Sequence, residues 1–247
     1  MIKKLVIFAI LLQAGVAGAQ DEAPEINRTL PSFSRIVVSP RINLILTEGD
    51  EESIRLVYHR VNPDEINIEV KGKTLRLYLD DSRVTEKLIK KNRYEKYNKY
   101  ADANLTAYVT YRKLDRLEIR GDQELTCTSP LVAEKFVLKG YGRNEINFAS
   151  IKTAYLKTHL YGENTLNIDG GKAEYQKYKL YGENRIDTRE IKSFYASATI
   201  FGESKLQLSI QDEIKINAFG ESQVTYGGNA ELNKGLIIGK ADIRRID

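Results

Sequence analysis

Tyr141-Gly142-Arg143-Asn144, Tyr161-Gly162-Glu163-Asn164, Tyr181-Gly182-Glu183-Asn184, Phe201-Gly202-Glu203-Ser204 and Phe219-Gly220-Glu221-Ser222 are five copies of one aromatic-glycine-polar turn. Their glycines lie 20, 20, 20 and 18 residues apart. A fixed period of this length marks a solenoid, in which each coil buries its apolar face only against the coils beside it. The repeat is too short for a helical pair, so strands must make the coil. The sequence therefore predicts an all-β chain folded as a parallel β-solenoid with 20 residues in most coils.

Apolar side chains keep step with the turns. After each glycine come Ile146 and Phe148, Leu166 and Ile168, Ile186 and Thr188, Leu206 and Leu208, and Val224 and Tyr226. Before it stand Leu138, Leu160, Leu180, Ile200 and Ala218, the first of them two residues out of step. Stacked about 4.8 Å apart, such positions form one continuous apolar spine. Towards the N-terminus, Ile42, Leu44 and Leu46, then Ile54, Leu56 and Tyr58, Ile66, Ile68 and Val70, and Leu75, Leu77 and Leu79 alternate with polar residues. This is the period of half-buried strands. Residues 81–104 break it and predict a helical or irregular insertion. Seven basic residues between Arg83 and Lys99 oppose only Glu86 and Glu95, and Leu88, Tyr94, Tyr97 and Tyr100 give the segment a sparse apolar side. It is expected either to cover the solenoid with its tyrosines or to contact an anionic glycan, headgroup or partner. At the far end, Lys240, Arg244 and Arg245 are placed to blunt the last strand edge.

Residues 1–19 read as a cleaved export signal. Lys3 and Lys4 precede an apolar run from Leu5 to Leu12, and Ala17-Gly18-Ala19 supplies the small residues before a cut ahead of Gln20. The run is too short for a membrane span. Cys127 is the single cysteine, so an internal disulfide is excluded and the mature chain is expected to carry no lipid anchor of its own. Residues 20–31 then read as a linker and 32–247 as one domain. Without the signal the chain carries 36 basic and 34 acidic side chains, a balance that argues against nucleic-acid binding. The expected location is the periplasm, the outer envelope or the exterior.

Phe33-Ser34-Arg35-Ile36-Val37-Val38 followed by Ile42-Asn43-Leu44-Ile45-Leu46-Thr47-Glu48-Gly49 resembles the opening of the auto-transporter adhesin "head GIN" domain family. Leu75-Arg76-Leu77-Tyr78-Leu79 and the later glycine turns extend the resemblance from about Ser32 to Gly239. It implies a secreted or envelope-associated protein with a β-solenoid akin to right-handed β-helices. Many members carry small residues around the turn glycine, so the aromatic before it and the Glu-Asn or Glu-Ser after it are this chain's own.

Those additions supply the candidate site. Strand alternation turns Tyr141, Tyr161, Tyr181, Phe201 and Phe219 outward as an aromatic ladder, four steps of ~4.8 Å. Aromatic faces in a row suit the apolar faces of sugars; alternatively, the rings only stack on one another. Glu163, Glu183, Glu203 and Glu221 form a second column beside Asn144, Asn164, Asn184, Ser204 and Ser222. Stacked carboxylates repel, and Arg143, Arg185 and Lys205 are positioned to compensate, with calcium as the alternative. Asn164 and Asn184 with Glu163, Glu183, Glu203 and Glu221 are candidate ligand contacts; alternatively, the asparagines are turn residues that tolerate a left-handed backbone and form amide ladders. No serine-histidine-aspartate arrangement, zinc spacing or phosphate loop is present. Asp187, Arg185, Lys205 and His159 are the one set from which a polysaccharide lyase or hydrolase could be assembled. The expectation is a non-enzymatic binder of a glycan or cell-surface polymer, able to associate with its own copies and needing no cofactor, with a scaffold lacking any small ligand as the alternative.

Overall fold

The computed structural model describes residues 23–90, 92–93 and 95–246. The expected signal therefore lies outside the described residues. The strands are β1 (Glu25–Thr29), β2 (Arg35–Val38), β3 (Ile42–Glu48), β4 (Ser53–His59), β5 (Ile66–Lys71), β6 (Thr74–Leu79), β7 (Leu88–Lys90), β8 (Lys96–Asn98), β9 (Asn104–Tyr111), β10 (Arg116–Ile168), β11 (Gly171–Phe201), β12 (Ser204–Gly227) and β13 (Glu231–Arg245). Among the described residues the only helical element is a 3₁₀ turn, Pro63–Glu65.

From β10 onward the chain winds as a parallel solenoid of about five turns. Its strands are long because pairing continues round the corners. The 20-residue period is visible in the register: Leu160 pairs with Leu180, Tyr161 with Tyr181 and Gly162 with Gly182. The shorter spacing is absorbed between β11 and β12, where the register slips around Ser193 before Phe201 meets Phe219. Leu160, Leu180, Ile200, Leu166, Ile186, Leu206 and Val224 are all buried in one continuous core. The displacement of Leu138 also has a cause. Gly140 occupies the place before Tyr141, and a Cβ there would lie 2.8 Å from Leu160 Cδ2, so the leucine of the next coil fills that space.

The N-terminal strands extend this core and then close it. β2 lies parallel between β6 and β10, and β3 lies parallel between β9 and β10. Antiparallel strands finish each layer: β5 on β6, and β4 on β9 with β1 outermost. Residues 25–29 of the expected linker are thus strand, with Ile26 packed on the core. An antiparallel lid covers the hydrogen-bonding edge that a bare parallel coil would expose.

The insertion is irregular rather than helical, and it holds a small hairpin in which Leu88 faces Asn98 and Lys90 faces Lys96. Tyr100 is buried and donates its hydroxyl to the carbonyl of Asp80 at 3.0 Å, which gives the covering role to that tyrosine. Tyr97 instead is exposed, and Tyr94 lies outside the described residues. Arg41–Glu86 and Lys99–Glu65 ion pairs tie the segment to the body. Cys127 is buried, and burial raises its thiol above the usual range.

Candidate functional site

The glycine corner sets the geometry of everything around it. Gly162 has φ +107 and Gly182 φ +98, values that side-chain-bearing residues rarely adopt. A Cβ on Gly162 would stand 2.3 Å from the carbonyl oxygen of Gly142, because successive glycines stack backbone on backbone. At this corner the strand direction changes while alternation continues, so the aromatic before it and the glutamate after it both point out.

The ladder forms as expected and faces partly outward. Its ring centroids are separated by 5.0 Å (Tyr141–Tyr161), 4.8 Å (Tyr161–Tyr181), 4.9 Å (Tyr181–Phe201) and 4.5 Å (Phe201–Phe219), with planes within 8° of parallel. The Arg120 guanidinium lies 5.9 Å from the Tyr141 centroid and covers the first ring. Each interior ring has both faces covered by its neighbours. The ladder therefore presents edges and tyrosine hydroxyls to solvent, and its faces stack on one another rather than standing open to sugars.

The asparagines turn the other way. Asn144, Asn164 and Asn184 are buried, and they form an internal amide ladder: Asn144 Nδ2 donates to Asn164 Oδ1 at 2.8 Å, and Asn164 Nδ2 to Asn184 Oδ1 at 3.0 Å. Asn184 then donates to Ser204 Oγ at 3.5 Å. Asn164 and Asn184 are thus internal braces, a correction to their place among the ligand contacts. Their backbone is not left-handed either, since the glycine takes the positive φ.

Glu163, Glu183, Glu203 and Glu221 are exposed along the corner. Arg143 bridges the first of them, with Nε 3.0 Å from Glu163 and a second nitrogen 3.7 Å from Asp122. Glu183, Glu203 and Glu221 have no cation within ion-pair distance among the described residues, although Arg185, Lys205 and Lys240 stand close by. The two rows enclose depressions of ≈ 480 and ≈ 380 Å³ that share Glu183 and Arg185. Together they make a groove along the solenoid from Asp122 to Asp242. Glu163, Glu183, Glu203 and Glu221 line one wall with Arg143 and Lys240, and the other wall mixes Arg185, Lys205, Thr165 and Gln223 with Glu124, Glu145 and Asp242. No group of three or more His, Cys, Asp or Glu side chains converges on a common metal position among the described residues.

The possible acid-base set is not assembled. Asp187, Arg185 and Lys205 lie after the glycine corner, whereas His159 lies before it, on another face and paired in register with Lys179. Arg189 holds the Asp187 carboxylate, at 2.9 Å from Nε, and keeps its pKa below the usual range.

Two features went unread in the sequence. Tyr155, Tyr175 and Tyr195 form a second tyrosine column at the same period, visible in the spacing once positions six before the ladder are compared. Inside the coil, the Tyr178 hydroxyl meets Gln176 and Thr188 Oγ1, and Gln176 Nε2 donates to Ser193 Oγ at 2.7 Å. No repeat signal announces this network, because Thr158 and Ala198 occupy the places above and below Tyr178.

The fold and its columns define a class: an elongated parallel β-solenoid that offers repeated side chains along its faces. Residues 32–230 match the family described as "Putative auto-transporter adhesin, head GIN domain", and the chain belongs to that family. Three solved structures, each described as a "putative adhesin", share the fold. The protein from Bacteroides fragilis has TM-score 0.71 and 17% identity, over 92% of this chain and 98% of that one. Those from Parabacteroides merdae and Parabacteroides distasonis have TM-scores 0.63 and 0.65, each at 15% identity, over 92% and 91% of this chain and 98% and 97% of theirs. At these identities the likeness is one of fold. No curated protein matches the sequence. The family description supports an adhesin-like role. No helix among the described residues is long and apolar enough to cross a membrane.

Proposed function

We propose that the chain is an adhesin-like binding module that holds a glycan or related cell-surface polymer along the groove beside the glycine corner. The supporting observation is the continuity of that groove, whose two depressions meet at Glu183 and Arg185. Glu163, Glu183, Glu203 and Glu221 accept hydrogen bonds from sugar hydroxyls, while Arg185 and Lys205 donate to hydroxyl and ring oxygens. A repeat of about 4.8 Å along the walls suits a polymer better than a compact ligand. The stacked rings of Tyr141, Tyr161, Tyr181, Phe201 and Phe219 form a stiff rim and add edge contacts.

The reading is of a binder rather than an enzyme: Asp187 is held by Arg189 and does not line the groove. Export through residues 1–19 accompanies this role, and mass spectrometry of the secreted protein should find Gln20 at its N-terminus. Leu236 and Ile238, exposed beside the outer edge of β13, supply a surface for association with a second copy.

Glycan-array binding of the wild type and of the Glu183→Gln/Glu203→Gln pair tests the proposal. Binding by the wild type that is lost in the pair, at unchanged circular dichroism, is the expected result. A wild type that binds no glycan, or a pair that binds as well as the wild type, overturns it.

A further inference from the structure

Charge is segregated around the solenoid in a way the groove does not use. In residues 131–195, Lys135, Lys139, Lys157, Lys177 and Lys179 emerge on the face before the aromatic ladder. Lys152, Lys172 and Lys192 emerge in register on the adjoining face. None of these eight lysines has a carboxylate within ion-pair distance among the described residues. Crowding is evident at Lys157, whose ammonium is disfavoured first by Lys135 and then by partial burial and Lys177.

The corner between the two lysine faces is apolar and protrudes. Tyr155 is 47% exposed, Phe194 52%, Tyr195 44% and Val132 59%, and Ala154 and Tyr175 complete the ridge. Unlike the ladder, these rings are not in parallel stacks: Tyr155 and Tyr175 are tilted by 41° with centroids 6.5 Å apart. Glu134 and Glu174 are the two acidic groups within the ridge, and Glu190, Asp212 and Glu213 lie at its far end. Between Val132 and Phe194 the surface sinks into a shallow depression of ≈ 410 Å³, floored by Thr153, Ala154 and Ala173 and rimmed by Lys152, Lys172 and Lys192.

We infer that this ridge seats the solenoid on a bilayer surface bearing anionic headgroups. Aromatic side chains with polar tips settle at the headgroup level, and lysines reach past an apolar surface to phosphate. A projecting apolar edge between two basic faces matches a soft, negatively charged interface. The ridge residue Tyr155 and the groove residue Thr165 are half a coil apart, so this seating turns the groove away from the bilayer. The inference uses no groove residue and stands or falls separately from the glycan reading.

Co-sedimentation with phosphatidylcholine vesicles, with and without phosphatidylglycerol, provides the test. Binding is expected to the anionic vesicles alone and to fall with salt. Each neutralised lysine should weaken it about fivefold, so Lys152→Gln, Lys172→Gln and Lys192→Gln together should weaken it about a hundredfold. Tyr155→Ser with Phe194→Ser should weaken it at least about tenfold with all lysines kept. All variants are exposed-surface changes, and unaltered thermal unfolding verifies their fold. No binding to anionic vesicles at low salt overturns the inference. So does binding indifferent to the Tyr155 and Phe194 changes, or displacement by an equal charge of soluble acidic polysaccharide, which would mark a simple polyanion site.

Discussion

Tyr161 and Tyr181, twenty residues apart in the chain, lie face to face with ring centroids 4.8 Å apart and planes 4° from parallel. Sequence neighbours on one strand could not do this; only the closing of a full coil brings them together. The ring contact therefore reports directly on coil stacking.

Tyr161 has a ring on each side, whereas Tyr141 has a ring on one side and Arg120 on the other. Stacking contributes about 0.5–1.5 kcal/mol per pair beyond area burial. Tyr161→Ala is expected to cost about 1–3 kcal/mol from lost stacking, and Tyr141→Ala about half of that, in urea unfolding. Tyr161→Phe should be nearly neutral, because no hydrogen bond of its hydroxyl is at stake.

Asn164 is the middle rung of the amide ladder. Asn164→Ala strands a buried donor on Asn144 and a buried acceptor on Asn184, at about 1–3 kcal/mol each. Calorimetry should place this variant below Glu163→Ala, whose side chain is exposed. Equal melting temperatures for the two would contradict the ladder's structural role.

Gly162→Ala combines an unfavourable φ with a 2.3 Å approach to the Gly142 carbonyl oxygen. The stack must part locally to admit the methyl group, so a loss of about 3 kcal/mol or more is expected in chemical denaturation. Gly72→Ala provides the contrast. Its φ of +54 also strains a side chain, but nothing lies within 4 Å of the added atom, so the loss should be smaller.

His159 should confer a pH dependence. Burial first, then Lys179, Lys139, Lys177 and Lys157, hold its pKa below the ordinary 6.5. As pH falls through 6.5 the unfolded chain binds a proton that the folded chain resists, so stability falls until the folded imidazole also titrates. Melting temperature should decline from about pH 7.5 to about pH 5.5, and His159→Asn should flatten that slope. An unchanged slope in the variant would place the effect elsewhere.

The coil length, the glycine corner and the inward columns were legible because each recurs with the period, and repetition separates signal from local accident. Asn164 was legible in principle: with Leu166 and Ile168 inward, period two also turns residue 164 inward. Grouping it with Glu163 by adjacency concealed this. Whether the ladder faces solvent or itself could not be read from spacing, since the spacing that aligns rings for a sugar also closes them on each other. The antiparallel lid lay beyond the repeat, and β1 has only Ile26 packed on the core to announce it. The Tyr178 network depends on what small residues above and below permit, a relation between coils that no single stretch displays.

The coil that closes two residues early has a further consequence. A stack of identical rungs could slide by one repeat and find nearly the same contacts, leaving the chain many almost equivalent ways to wind. The 18-residue interval and the slipped pairing around Ser193 act as the offset mark on a vernier. Phe219 lies on Phe201 only across this 18-residue interval, so a slide by one 20-residue repeat would misplace it. The irregularity is thus what gives a repetitive sequence one address for each coil.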